Sequence, residues 1–406
     1  MTMAADKQDK VLNVPTLRFP EFKDEWELHP TTDFFEFKNG LNPDSKRFGS
    51  GTKFISVMDI LNNRYITYDK IKAFVEPKGS DLNEFGVNYG DVLFQRSSET
   101  LEDVGRANVY LDNKTALFGG FVIRGKKIGE YNPLFFRYLL SSPHVRKRIV
   151  VKGAGAQHFN IGQDGLSKVS IFVPTAKEQE RIAKLLDLID ERIETQIRII
   201  EDLKSLSDVI CERLYTPSDK ESWQTYKYAD LLSISNERNS KLQYTNVLSA
   251  SQEYGMIERN ELNIDIKFEA SSIKNYKIVR PNQYVIHLRS FQGGFAYSDK
   301  TGVCSPAYTI LVPNEKLSTA FLKYYFTSKK FIDSLRIVTY GIRDGRSISV
   351  DEFLQLKVAI PDIAHQQHIV QVMQLWEEKI RMEEEYLSKL QQQKKYLLSL
   401  NVYINI

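Results

Sequence analysis

The chain is poor in cysteine, in net charge and in long apolar runs. Two cysteines, Cys211 and Cys304, stand among 406 residues with no paired spacing. That argues against a disulfide framework or a cysteine-rich metal site, and it fits a reducing compartment. No apolar run is long enough to cross a bilayer, so no membrane association is expected and the expected location is cytoplasmic. The formal net charge is only +3, so bulk charge does not announce a nucleic-acid binder. No Gly-x-x-x-x-Gly-Lys-Ser/Thr phosphate loop is written, so ATP hydrolysis is not encoded. The opening MTMAADKQDKVLNV lacks the apolar centre of a secretory signal and reads as a flexible leader, residues 1–14.

What is present is apolar mass and a repetition. Hydrophobic residues make up 42% of the chain and aromatics 12%, enough for two or three packed domains. VPTAKEQERIAKLLDLIDERI (Val173–Ile193) and IPDIAHQQHIVQVMQLWEEKI (Ile360–Ile380) lie 187 positions apart and share one plan. Each opens with an apolar residue, Pro and a matched Gln, then continues as a helical stripe. Alternating steps of four and three give Ile182, Leu186, Ile189, Ile193, Gln196, Ile200, Leu203 and Ser207 in the first copy. In the second they give Ile369, Met373, Trp376, Ile380, Glu383, Leu387, Leu390 and Lys394. A 3.5-residue period marks a long helix that packs along another helix. The polar interruptions recur at matched places, which an accidental pattern would not do, so the chain carries an internal duplication.

The repeat extends upstream. Trp26 and Trp223 are each followed seven residues later by Asp and two apolar residues. GDVLFQRSS (Gly90–Ser98) aligns with QYVIHLRSF (Gln283–Phe291), and LFFRYLLSS (Leu134–Ser142) with AFLKYYFTS (Ala320–Ser328). Short β-rich runs split by Gly, Asn and Pro predict α+β domains. The expected order is a domain over 15–172, a central long helix over 173–216, a second domain over 217–359 and a C-terminal long helix over 360–406. Helices of about 40 residues span roughly 60 Å. The two copies are expected to pack antiparallel as a coiled coil about a pseudo-two-fold axis, with one domain toward each end. That symmetry predicts Gln196 opposite Lys394 and Ser207 opposite Glu383.

Pro174, Glu178, Gln179 and Ile182, echoed by Pro361, Gln366 and Ile369, together with LRFPEFKDEWE (Leu17–Glu27), resemble the specificity (S) subunit of Type I restriction-modification systems. The resemblance covers nearly the whole chain; it is looser in the second copy, where His365 stands in place of Glu178. It implies two target recognition domains in tandem repeat, each reading one half of a split sequence in double-stranded DNA. It also implies that the helix pair sets the gap and docks two methyltransferase subunits, which ATP-dependent translocase/nuclease subunits join. The chain would then be non-catalytic and hold no cofactor, with S-adenosylmethionine in the methyltransferase partner.

Phosphate contacts need Lys and Arg, and base edges need Arg, Lys, Asn, Gln, Ser or Thr. Two kinds of segment supply them. QRSSET (Gln95–Thr100) and LRSFQGG (Leu288–Gly294) end an apolar run in Arg-Ser, offering Arg96, Ser97, Ser98, Arg289, Ser290 and Gln292. The Gly-rich loops before the helices, KGAGAQHFN (Lys152–Asn160) and TYGIRDGRS (Thr339–Ser347), offer Gln157, His158, Asn160, Tyr340, Arg343 and Arg346. Lys46-Arg47 is a further candidate among several basic clusters, which also include Arg146-Lys147-Arg148 and for each of which a solvated surface is the commoner reading.

Other patterns tempt less. Asn132-Pro133-Leu134-Phe135 is similar to the Asn-Pro-Pro-aromatic loop of adenine-specific methyltransferases, but its second Pro is Leu. His365-x-x-His368 corresponds to Glu178 and Arg181 in the first copy and has no third metal ligand beside it. Two rival readings stay open at this point: a solitary adenine methyltransferase, and a coiled-coil adaptor that touches no nucleic acid.

Overall fold

The computed structural model describes residues 13–155, 158–216, 223–251, 254–259, 270–287, 294–335, 339–340 and 347–401. Most of the expected leader, residues 1–12, lies outside them. Asn13 accepts a 2.8 Å hydrogen bond from the Trp26 amide.

The chain divides into two compact units: residues 1–197 with 386–406, and residues 198–385. Each long helix therefore gives one half to each unit. Both domains mix helix and strand, and both are built on a four-stranded antiparallel sheet with the same strand order. In the first unit that order is Phe35–Asn39, Val122–Lys127, Val92–Gln95 and Ala107–Val109. In the second it is Leu232–Ser235, Thr309–Pro313, Gln283–Ile286 and Phe295–Ser298. A second antiparallel pair precedes each helix: Glu27–Pro30 with Ser170–Val173, and Gln224–Lys227 with Lys357–Ile360. The duplication read in the letters is thus a duplication of topology. One aromatic-rich core packs around Trp26, Phe35, Phe135 and Phe136, and the other around Trp223, Tyr228, Phe326 and Phe331.

The long helices run over Ala176–Leu214 and Ile363–Asn401, 39 residues each. Asp362 caps the second, accepting from the His365 amide at 2.9 Å. The matched Gln explains itself here. Gln179 Nε2 donates to the Pro174 carbonyl, and its Oε1 accepts from the Asn132 amide, both at 2.9 Å. Gln366 donates to the Pro361 carbonyl at 2.9 Å and accepts from the Ser318 amide at 2.8 Å. A buried side chain with a donor and an acceptor on one plane satisfies two backbone groups at once and fixes the helix start to its domain.

A second clamp is also written twice. Tyr138 Oη donates to Asp190 at 2.9 Å, with Arg137 at 3.2 Å from the same carboxylate. Tyr324 Oη donates to Glu377 at 2.8 Å, and Lys323 lies 2.8 Å from it. These residues occupy equivalent places in the two copies. The first-copy Glu178 is fully buried and held by both ends of the Arg18 guanidinium at 2.7 Å, which ties LRFPEF to the helix start. In the second copy His365 sits exposed with its ring edge on Trp223.

Around the polar interruptions the structure shows ion pairs. The Lys394 ammonium is 2.5 Å from the Asp190 carboxylate. Gln196 lines a cleft together with Tyr386, Leu390 and Gln393. In the second unit Ser207, the counterpart of Lys394, lines a cleft with Lys323, Tyr324 and Glu377, whereas Glu383 takes Lys379 at 2.5 Å. Asp190 is buried, and a buried carboxylate holds an ammonium strongly.

Candidate nucleic-acid interface

In the first unit the sheet delivers a fixed strand end. Val92–Gln95 is buried throughout, and the chain emerges at Arg96. The Arg96 amide donates to the Phe121 carbonyl at 2.9 Å, and the Arg96 carbonyl accepts from Ile161 at 3.0 Å. Gln95 Nε2 holds the Ser97 carbonyl at 2.9 Å. Ser97–Ser98 then pairs antiparallel with Phe159–Asn160. Two segments picked out separately in the sequence, 95–100 and 152–160, are therefore one ribbon. Ser97 Oγ donates to Asn160 Oδ1 at 2.5 Å, and Asn160 Nδ2 to the His158 carbonyl at 3.3 Å. His158 and Asn160 are exposed, while Arg96, Ser97 and Ser98 are half-buried. The Arg96 guanidinium reaches the Gly120 carbonyl at 3.3 Å. Such an edge presents a cation, two hydroxyls, an amide and an imidazole from rigid backbone, a donor and acceptor set suited to base edges and phosphates.

The other candidates fare unequally. Lys46 is exposed. Arg47 is committed internally, to the Glu76 carbonyl at 3.0 and 2.8 Å and to the Asp81 carboxylate. Burial pushes the Asp81 carboxyl up, but the Lys78 amide and the Arg47 guanidinium outweigh it and hold the group below the usual range. In Arg146-Lys147-Arg148 the two arginines bind the carbonyls of Glu102 and Val104, and of Ser170. Gln157, Arg289, Ser290, Gln292, Arg343 and Arg346 lie outside the described residues, as does the Tyr340 side chain. The Tyr340 backbone pairs with Ser347 in a short antiparallel ribbon.

Asn132 is a helix cap: its Oδ1 accepts from the Phe135 amide at 2.9 Å, and Pro133 takes the first helical position. Among the described residues no group of three or more His, Cys, Asp and Glu is placed to hold a metal ion, and no helix is long and apolar enough to cross a membrane.

On the long helices the ladder residues Ile182, Leu186, Ile189, Ile200, Ile369, Met373 and Leu390 are buried, and Ile193, Leu203, Trp376, Ile380 and Leu387 half-buried. The sequence reading missed a second apolar line on the first helix: Leu188, Ile199, Leu206 and Val209, all exposed. The 3.5-residue step taken from Leu188 also lands on Arg192, Thr195 and Asp202, which hides it. It also missed Phe121, exposed beside Arg96.

A family model, Type I restriction modification DNA specificity domain, matches residues 23–205 and again 220–392. A putative type I restriction enzyme specificity subunit, MjaX, from Methanocaldococcus jannaschii is 25% identical over 203 residues, 48% of this chain and 47% of that protein. The EcoKI specificity subunit of Escherichia coli K12 is 24% identical over 216 residues, 51% of this chain and 46% of that protein. The matched stretches thus span about half the length of these curated relatives. Among solved structures, the S subunit of a Type I restriction-modification system from M. genitalium superposes with a TM-score of 0.50 at 15% identity, over 97% of this chain and all of that one. A chain from a structural study of assembly and conformational transition in the type I R-M system superposes with a TM-score of 0.61 at 13% identity, over 92% and 96%.

Proposed function

Because the chain belongs to the Type I restriction-modification DNA specificity domain family, in two copies, we propose that it is the sequence-reading, non-catalytic subunit of a Type I restriction-modification complex. Each domain reads one half of a bipartite, asymmetric target in double-stranded DNA. The observation that carries this reading is the ribbon of Ser97–Ser98 with Phe159–Asn160, which gathers Arg96, His158 and Asn160 at one rigid edge. Unlike half-sites follow from unlike letters at the corresponding edges, since LRSFQGG and TYGIRDGRS replace QRSSET and KGAGAQHFN.

In this reading the long helices pair antiparallel as a coiled coil and act as the ruler between half-sites. Partner positions that descend along one helix as they ascend along the other support it: Asp190 with Lys394 in the first unit, Lys204 with Glu384 in the second. Half-sites about one helical turn apart, roughly 34 Å, lie on one face of the duplex. In this reading the long helices also dock two methyltransferase subunits, as the family resemblance implies. Those subunits bring S-adenosylmethionine, and translocase/nuclease subunits join the core. Asn132 works as a cap rather than as a base-holding loop, which disfavours a solitary methyltransferase.

Inserting four residues after Leu203 tests the ruler. The accepted gap lengthens or recognition is lost; an unchanged gap contradicts the proposal.

A further inference from the structure

Gly119-Gly120-Phe121 is a tight turn between the strands Leu117–Phe118 and Val122–Lys127, closed by the Val122 amide on the Gly119 carbonyl at 2.9 Å. Its backbone is held from several sides. The Asn42 side chain packs against Gly120, where an added Cβ would lie 1.9 Å from its Oδ1 and would displace it. The Phe54 ring packs under Gly119. Arg96 grips both following carbonyls, that of Gly120 through its guanidinium at 3.3 Å and that of Phe121 through its amide at 2.9 Å.

Yet Phe121 is 70% exposed. A single exposed apolar residue needs no explanation in general. This one differs in two ways. Its backbone is immobilised although its side chain contributes little to the core, so the ring is carried at a fixed place. It also neighbours Arg96, and through it the ribbon bearing Ser97, Ser98, His158 and Asn160.

A rigid aromatic tip flanked by a cation and hydrogen-bonding groups has the parts of a base-step wedge. The cation contacts phosphate, the polar groups read edges, and the ring inserts where stacking is weakest. The neighbouring charge also complements a polyanion rather than an apolar protein face.

We propose that Phe121 inserts its ring against the bases of the first half-site and partly unstacks a base step there, preferring a flexible pyrimidine–purine step. The proposal rests on the DNA-reading function above. It makes Phe121 a specificity-determining residue of the first domain alone, acting through shape and stacking where Arg96 and Asn160 act through hydrogen bonds.

The test uses the full chain assembled with its methyltransferase partner, on duplexes carrying its selected target. 2-Aminopurine replaces, one at a time, each purine of the first half-site other than the base the partner modifies. The parent raises the fluorescence of one such probe on binding. Phe121→Ala binds about tenfold or more weakly and loses that rise. Phe121→Trp keeps both, and Phe121→Leu, which fills space without stacking, falls between. Preference at the second half-site does not change, and the variants melt at the parental temperature because the ring is outside the core. Undiminished affinity and an undiminished probe signal in Phe121→Ala overturn the wedge while leaving DNA reading intact. Loss of the methyltransferase partner on gel filtration, with DNA preference kept in what remains assembled, overturns it in favour of a protein contact. A parent complex that selects no DNA sequence overturns the underlying reading and the wedge together.

Discussion

Replacing Arg18 by Met strands the Glu178 carboxylate. That carboxylate is 0% exposed, and both its oxygens are held by the Arg18 guanidinium at 2.7 Å. The guanidinium also reaches the Asp24 carbonyl at 2.6 Å, and the neighbouring Leu17 amide bonds to the Leu400 carbonyl at 3.1 Å. Removing one partner of a buried ion pair leaves an uncompensated charge and costs about 3–5 kcal/mol. For a unit of this size 1 kcal/mol corresponds to roughly 2–4 °C in Tm, so the first unit should melt roughly 6–20 °C lower. Thermal unfolding followed by far-ultraviolet circular dichroism reads this directly. Adding Glu178→Gln removes the charge and should restore most of the loss, because the penalty belongs to the stranded carboxylate and not to the missing contact. A loss below about 1 kcal/mol, the level of an exposed pair, or a double variant no better than the single one, refutes the reasoning.

The duplicated clamp predicts matched effects. Tyr138→Phe and Tyr324→Phe each remove one hydrogen bond to a helix carboxylate and should each cost about 1.5–3 kcal/mol in urea unfolding, adding in the double variant because the sites share no partner. Unequal losses, with one near zero, break the equivalence of the copies. Burial pushes the Cys211 and Cys304 thiols up to about 12, so the native chain at pH 8 should react negligibly with a disulfide reagent and yield two thiols on denaturation; fast native labelling of either contradicts its burial. Burial lowers the His287 imidazole below its ordinary value. The folded state therefore favours the neutral ring, and stability is full above about pH 6.5 and lost as pH falls below it. His287→Phe should flatten that acid loss in the second unit's unfolding, and an unchanged pH profile counts against it.

Much of the architecture was legible because it is periodic and written twice. The ladder from Ile182, the Pro–Gln helix starts and the strand ends before Arg96 and Arg289 all rest on spacing, which a chain displays without its fold. The ribbon edge was legible in halves: Gln95–Thr100 and Lys152–Asn160 were both visible, but their pairing is a long-range contact that no local pattern encodes. The ion pairs around the polar interruptions were hidden for a related reason. Asp190 sits off the ladder, and only the fold brings Arg137, Tyr138 and Lys394 onto it. Basic clusters misled because a backbone carbonyl leaves no mark in the sequence: Arg146 and Arg148 are spent on carbonyls, and Arg47 on Glu76 and Asp81. Phe121 was invisible because an aromatic beside a strand reads as core until its exposure is seen.

Sequence-selective retention of random duplex DNA by the chain assembled with its methyltransferase partner bears most directly on the central claim. Two readers at a set separation should select a bipartite motif: two unlike half-sites, a gap of constant length, and centres about one helical turn apart. A single uninterrupted motif, two identical half-sites or unselected DNA would contradict it.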